Sequence, residues 1–427
     1  MYKVFVVGLD GVPYSFIKKL TEEGKLSNFK ELLSEGSFRR MHSVIPTVSS
    51  VAWSTYMTGK NPGKHGIYGF IDRQPNTYDM YIPLSTHMKS QTIWEFLSDN
   101  RKRVVVINVP VTYPPRPVEG ILISGFLATK IDKATYPKEI ADELNSMGYR
   151  IDVDPWKARE GKIDKFLADL NYTLEKRFEI ALQYMREKPW DFFQLHIMGT
   201  DRINHFLWNL TQYKEAFLNY YKKIDYYLGE LKKRINGKTT LIILSDHGFC
   251  EIEKEIDLNF WLHENEYLKF NTTKPDSLKD IDAQSKAYSL PPGRIYVKDE
   301  EISKEIKDRL LNLRDPDTGK KIIKDVFRRH ELYKGEAFNA GPDLVAVPYD
   351  GFDLKASFKR KESLSERTPI VGMHTYEDAF IYIRGKDIVK ENIGIVDIMP
   401  TILDLLKVVP PPDLDGSSIL GSEKCKV

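Results

Sequence analysis

Short runs of β-branched and aromatic residues alternate along the chain with longer stretches whose apolar positions recur every three or four residues. Val4 to Val7 is the first such run, bounded by Gly8 and Gly11. Its lack of polar alternation predicts a strand buried on both faces, as in a parallel sheet. Phe16 to Leu33 follows with helical spacing, and Thr92 to Leu97 predicts a helix ahead of a second buried strand, Val104 to Val109. A long helix over Lys165 to Glu187 leads into a strand at Asp191 to Met198. Tyr213 to Ile235 is helical again and delivers the chain to a strand at Leu241 to Leu244. Such alternation predicts an α/β fold: a doubly wound, mostly parallel sheet with helices on both faces.

The rhythm breaks from about Leu268 to Ser365, where Lys, Asp and Arg accumulate around Pro291-Pro292-Gly293. A strand at Arg294 to Val297 and a helix at Glu301 to Leu313 are expected there. We read residues 268–365 as an inserted α+β cap and residues 1–267 and 366–427 as the catalytic core. The core resumes near Ile370. Pro400 suits the first turn of a helix running to Leu406, which Pro410 to Pro412 should stop.

Composition narrows the function classes. The 427 residues are 41% hydrophobic and 29% charged, and the net charge is +2 with both signs interspersed. A basic stripe with an aromatic platform is missing, so a nucleic-acid polymer is not an expected partner. With only Cys250 and Cys425, no disulfide framework can form, which suits a reducing compartment. The apolar run at the N-terminus is too short for a secretion signal, and nothing approaches the roughly 18 apolar residues that cross a bilayer. A soluble, cytoplasmic protein with no membrane partner is expected.

Ligands of open α/β sheets sit beyond the carboxyl ends of the strands. Asp10, Asp201 and Asp246 each follow one of the expected strands. Asp201 and His205 are four apart, so one helical turn aims both at a single ion. Asp246 and His247 share a tight turn ending in Gly248, and His374 falls in a loop-like stretch, Val371 to Thr375. Taken singly, each has an ordinary reading: Asp10 as a helix cap or turn former, Asp201 and His205 as a surface pair. Taken together, three acids and three histidines point to a metal site. Ser49 lies where a helix from Ser50 to Gly59 should begin, so it is either an N-cap or a nucleophile favoured by the helix dipole. Beside divalent ions the second role is chemically sensible. His65 is expected to brace its turn, and His196 to be a packed or supporting group.

In order, the motifs are V-V-G-L-D-G at Val6–Gly11, P-T-x-S at Pro46–Ser49, T-G-x-x-P-x-x-H-G at Thr58–Gly66, D-x-x-x-H at Asp201–His205, S-D-H-G at Ser245–Gly248, and G-x-H at Gly372–His374. Asp397-Ile-Met-Pro-Thr-Ile-Leu403 closes the series. This set resembles the alkaline phosphatase superfamily, and within it the type I phosphodiesterase and nucleotide pyrophosphatase branch. The resemblance implies two divalent metal ions, usually zinc and sometimes manganese. One would be held by Asp201, His205 and His374, and the other by Asp10, Asp246 and His247 with Ser49 bound to it. It further implies in-line attack by Ser49 on a small phosphate ester and a phospho-seryl intermediate. Two departures stand out: the branch usually has Thr as nucleophile, and an Asn behind it that Ser50-Val-Ala-Trp-Ser lacks. A phosphomonoesterase on the same scaffold is the alternative; it would need a further cation, for which Lys60, Lys64 and Arg202 are candidates. A sulfatase lacks its C/S-x-P-x-R motif. A phosphoglycerate-type mutase would need its insertion before the second metal motif. A non-catalytic member would have lost a ligand, and none is missing.

Overall fold

The computed structural model describes residues 2–75, 77–359, 364–366 and 368–421, so Cys425 lies outside the described residues. In chain order, its main elements begin with strand β1 (Lys3–Leu9), helices α1 (Tyr14–Glu22) and α2 (Ser27–Leu33), strand β2 (Gly36–Met41) and helix α3 (Ser49–Thr58). Helix α4 (Ile93–Asp99) precedes β3 (Val104–Ile107), β4 (Gly120–Ile123) and β5 (Thr135–Tyr136). Helix α5 (Ile163–Glu187), β6 (Phe192–Ile197), α6 (Gly199–Leu207), α7 (Lys214–Arg234) and β7 (Thr239–Leu244) complete the first part. Strand β8 (Gly248–Glu251) follows, and then β9 (Ala287–Leu290), β10 (Arg294–Val297), α8 (Glu300–Leu311), β11 (Ile323–Arg328) and β12 (Leu344–Pro348). The chain ends with β13 (Gly372–Thr375), β14 (Ala379–Arg384) and α9 (Ile398–Leu405).

The central sheet has eight strands in the order β2-β14-β7-β1-β6-β3-β4-β5. Pairing is parallel from β7 through β4, while β14 and β5 run antiparallel to their neighbours. Side chains of β1 alternate between two cores. Phe5, Val7 and Leu9 pack on the side of α1, α2, α5, α6 and α7; Val4 and Val6 pack on the side of α3, α4 and α9. Gly8 lets α3 approach closely, because a Cβ there would stand 2.4 Å from the Trp53 ring. This is the doubly wound α/β arrangement the sequence pattern predicts. Among the described residues no helix is long and apolar enough to cross a membrane.

Several boundaries differ from the sequence reading. The stretch Phe16 to Leu33 is two helices, parted where Gly24 adopts φ +69°. Helix α3 starts at Ser49, not Ser50: Val48 holds the extended cap position, so Ser49 is the first helical residue and does not cap. His374 is not in a loop. It sits on β13, which pairs antiparallel with β8 and places His374 opposite Phe249. Helix α9 ends at Leu405 with Leu406 as its C-cap, close to the expected end, but what breaks it is Lys407 turning left-handed at φ 56° rather than Pro410.

Strands β9, β10, β12 and β11 form a separate antiparallel sheet, backed by α8 and by an apolar cluster that starts at Ile256. One buried charge ties this sheet to the core. Arg294, on β10, is fully buried and reaches Asp72 at 3.4 Å and the Ile71 carbonyl at 2.5 Å. It also donates to the Pro291 carbonyl, and the Tyr296 hydroxyl donates to Asp72 at 3.3 Å. Removing one partner of a buried pair strands the other charge. Arg294→Met is therefore expected to lower stability by about 3 kcal/mol or more in urea unfolding. Asp72→Asn should also destabilise, and the double variant should lose less than the sum of the two.

Candidate functional site

Strands β7, β1 and β6 are neighbours in the sheet, and their carboxyl ends carry Asp246, Asp10 and, one turn into α6, Asp201. The crossovers thus bring together three acids separated by nearly 240 positions along the chain. Helix α3 packs over β1 and puts Ser49 beside them. The Ser49 hydroxyl donates to Asp10 Oδ1 at 3.0 Å and lies 3.2 Å from His247 Nε2. Asp10 Oδ2 accepts from Trp53 Nε1 at 2.8 Å and meets His196 Nε2 at 2.9 Å. One carboxylate oxygen is thereby committed to the scaffold and the other faces Ser49.

The second group forms where α6 meets β13. Asp201 Oδ1 is 3.1 Å from His374 Nε2 and 3.3 Å from His205 Nε2. The two Nε2 atoms are only 3.0 Å apart. His247 joins the groups: its ring stacks on His374 with centroids 3.7 Å apart, and its Nε2 is 3.4 Å from Asp246 Oδ2. Asp246 Oδ1 accepts the Gly11 N–H at 3.0 Å, whereas the buried Oδ2 has no hydrogen-bond donor.

All three imidazoles turn Nδ1 toward a backbone carbonyl: His205 to Gly372 at 2.8 Å, His247 to Gly248 at 2.9 Å, and His374 to Thr47 at 3.3 Å. A carbonyl only accepts, so each Nδ1 carries a proton and, in the neutral ring, each Nε2 presents a lone pair inward. Lone pairs of nitrogen therefore face one another and face carboxylate oxygens, with Asp10, Asp246 and His247 fully buried. Only positive charge resolves such a cluster. Electrostatics carry the same strain. Burial and the Asp10 charge push the Asp246 carboxyl up. Burial acts in the same direction on Asp10 and Asp201, but their histidine partners outweigh it and hold both below the usual carboxylate range. Burial, with His247 nearby, brings His374 down to about 4. His247 rises to about 9 despite burial, because Asp246 and Asp10 favour its cation.

Two sets of ligand atoms lie close enough to share an ion: Asp10, Asp246 and His247, and Asp201, His247 and His374. His205 stands against the second set. All seven residues singled out from the sequence, Ser49 included, thus meet in one place. No local pattern marks Trp53 as a partner of Asp10. His196, read as a packed or supporting group, touches the same carboxylate. His65 is buried, is brought down to about 3 by that burial, and bonds Thr55 and the Ile67 N–H. Lys60 and Lys64 point elsewhere, to Asp413 and Asp415. Of the candidate cations only Arg202 borders the cluster, 3.6 Å from Asp201 and 2.7 Å from Asp152.

Solved structures share this fold. Phosphonoacetate hydrolase from Sinorhizobium meliloti 1021 aligns with a TM-score of 0.68 at 18% identity, over 95% of both chains. Murine ectonucleotide pyrophosphatase/phosphodiesterase 5 aligns at 0.61 and 16% identity over 98% of both. The human protein of that name aligns at 0.60 and 15%, over 98% of this chain and 97% of the other. No curated protein matches the sequence. Residues 4–377 match the family described as type I phosphodiesterase / nucleotide pyrophosphatase. With that match over most of its length, the chain belongs to the type I phosphodiesterase / nucleotide pyrophosphatase family of the alkaline phosphatase superfamily, and it is a phosphate-ester hydrolase.

Proposed function

We propose that the protein is a two-metal phosphodiesterase that works through a phospho-seryl intermediate on Ser49. The observation that carries this reading is the convergence of three Nε2 lone pairs and three carboxylates around one buried hydroxyl. The donor-free Asp246 Oδ2 and the facing nitrogens of His205 and His374 suit divalent cations, and mixed Asp/His ligands suit zinc or manganese. Asp10, Asp246 and His247 would hold one ion, and Asp201, His205 and His374 the other. Bound there, the ions supply Lewis-acid stabilisation of the phosphoryl group and lower the pKa of Ser49.

The chain's own groups do the rest. Asp10 accepts from the Ser49 hydroxyl and His247 stands 3.2 Å from it, so Oγ is held in place to lose its proton to water and attack phosphorus as the leaving alkoxide departs. The first intrahelical donor of α3 is the Val51 N–H, so the helix does not consume the N–H groups of Ser49 and Ser50. These stand in for the absent Asn as donors to a phosphoryl oxygen. Hydrolysis of the phosphoserine by water then restores Ser49.

A diester is favoured over a monoester by the cation count. Lys60 and Lys64 are engaged by Asp413 and Asp415, and Arg202 is already shared between Asp152 and Asp201. A second negative charge on the phosphoryl group would find no free partner among them. We further propose that residues 268–365 act as a cap that sets which substrate enters.

Metal-free protein reconstituted with zinc or manganese should hydrolyse bis-p-nitrophenyl phosphate well above p-nitrophenyl phosphate; the reverse order would make it a phosphomonoesterase. Ser49→Ala should lower kcat by about a thousandfold or more while both ions stay bound. Activity retained in that variant would move the attack to another group. His374→Ala should weaken one metal site by more than about tenfold in equilibrium dialysis and spare the other; equal loss at both sites would contradict the ligand division.

A further inference from the structure

A cavity of about 680 Å³ opens beside His205 and His374 and continues between the core and the strands β11 and β12. Its walls are largely apolar. Phe70, Ile71 and Met373 come from the core side, and Phe327, Val345 and Val347 from the second sheet. The phosphorus bound at Ser49 would place its organic substituent here.

The charges on this wall are lopsided. Two lysines and no arginine line the cavity among the described residues, against five carboxylates. Both lysines are already paired: Lys324 with Glu377 at 2.7 Å, and Lys355 with Asp353. Asp378 is met by Arg40 at 3.2 Å and by Ser15. Asp325 and Asp350 have no ion-pair partner among the described residues; the Asp325 carboxylate accepts only the Val326 N–H at 2.7 Å. Partial desolvation raises the carboxyl of the exposed Asp350, and Glu377 and Asp378 add to this against Lys324.

Resting on the phosphodiesterase reading, we propose that the substrate is a phosphodiester whose substituent in this cavity is uncharged, and that Asp325 and Asp350 exclude phosphate-bearing substituents. The single charge of a diester is met at the metal centre. A second phosphate would reach into a cavity whose cations are spent and whose unpaired groups are anionic. Like charges brought together this way select against the wrong partner. A nucleoside is acceptable on these terms, but a nucleotide bearing an additional phosphate is not.

The test compares two substrates with one leaving group: the p-nitrophenyl ester of thymidine 5′-monophosphate, and the same ester carrying a 3′-phosphate. The added phosphate should lower kcat/KM by about tenfold or more, mainly through KM. The Asp325→Asn/Asp350→Asn variant should shrink that gap to about threefold or less, by raising kcat/KM for the phosphate-bearing ester. Equal kcat/KM for the two esters in the wild type would overturn the proposal, as would an undiminished gap in the variant. Failure to cleave even bis-p-nitrophenyl phosphate would instead remove the phosphodiesterase reading, and this proposal with it.

Discussion

Each of three histidines gives its Nδ1 proton to a main-chain carbonyl, and the rest of the site follows from that constraint. The tautomer is set by the backbone, so three lone pairs must point at the same small volume as three carboxylates. Arg202 borders that volume, 3.6 Å from Asp201. The carbonyls of Thr47, Gly248 and Gly372 come from three separate segments, and they are positioned only when α3, β8 and β13 are all in place. The geometry of the Ser49 hydroxyl is therefore a property of the whole sheet, not of any one loop.

The same dependence explains the close packing of α3. Trp53 stacks edge-on against His196 with ring centroids 4.6 Å apart, and both hold one oxygen of Asp10. Gly8 leaves the space for that indole beneath the helix. A side chain at position 8 would shift Trp53, release Asp10, and move Ser49 with it. Packing and chemistry are coupled through a single ring.

Much of this was legible in the sequence where the signal was local. The unbroken apolar runs of Val4–Val7 and Leu241–Leu244 are strands because both sheet faces are covered, and an acid after each is read directly from its position. The spacing of Asp201 and His205 gave their shared direction because a helix turn fixes it. What escaped depended on distant partners. The strand character of His374 comes from pairing with Gly248–Glu251, more than a hundred residues away, so the stretch resembles a loop on its own. Ser49 looked like a cap because Ser favours that position; the extended backbone of Val48 displaced the helix start by one residue. Trp53 gave no sign of its contact, since an indole in an apolar helix reads as core. Gly24 split a helix whose apolar spacing continued unbroken across it.

The bond between Arg294 and Asp72 has a bearing on how this protein can diverge. Either residue alone is a liability once its partner is gone, so drift at one position is blocked until the other changes. Descendants are then expected to keep both or to replace both, and the two positions should carry a shared history although 222 residues separate them. The inserted sheet can vary freely over its outer face while its seat on the core stays fixed. New cavity walls can therefore be tried by selection without moving the Asp/His cluster they overlook.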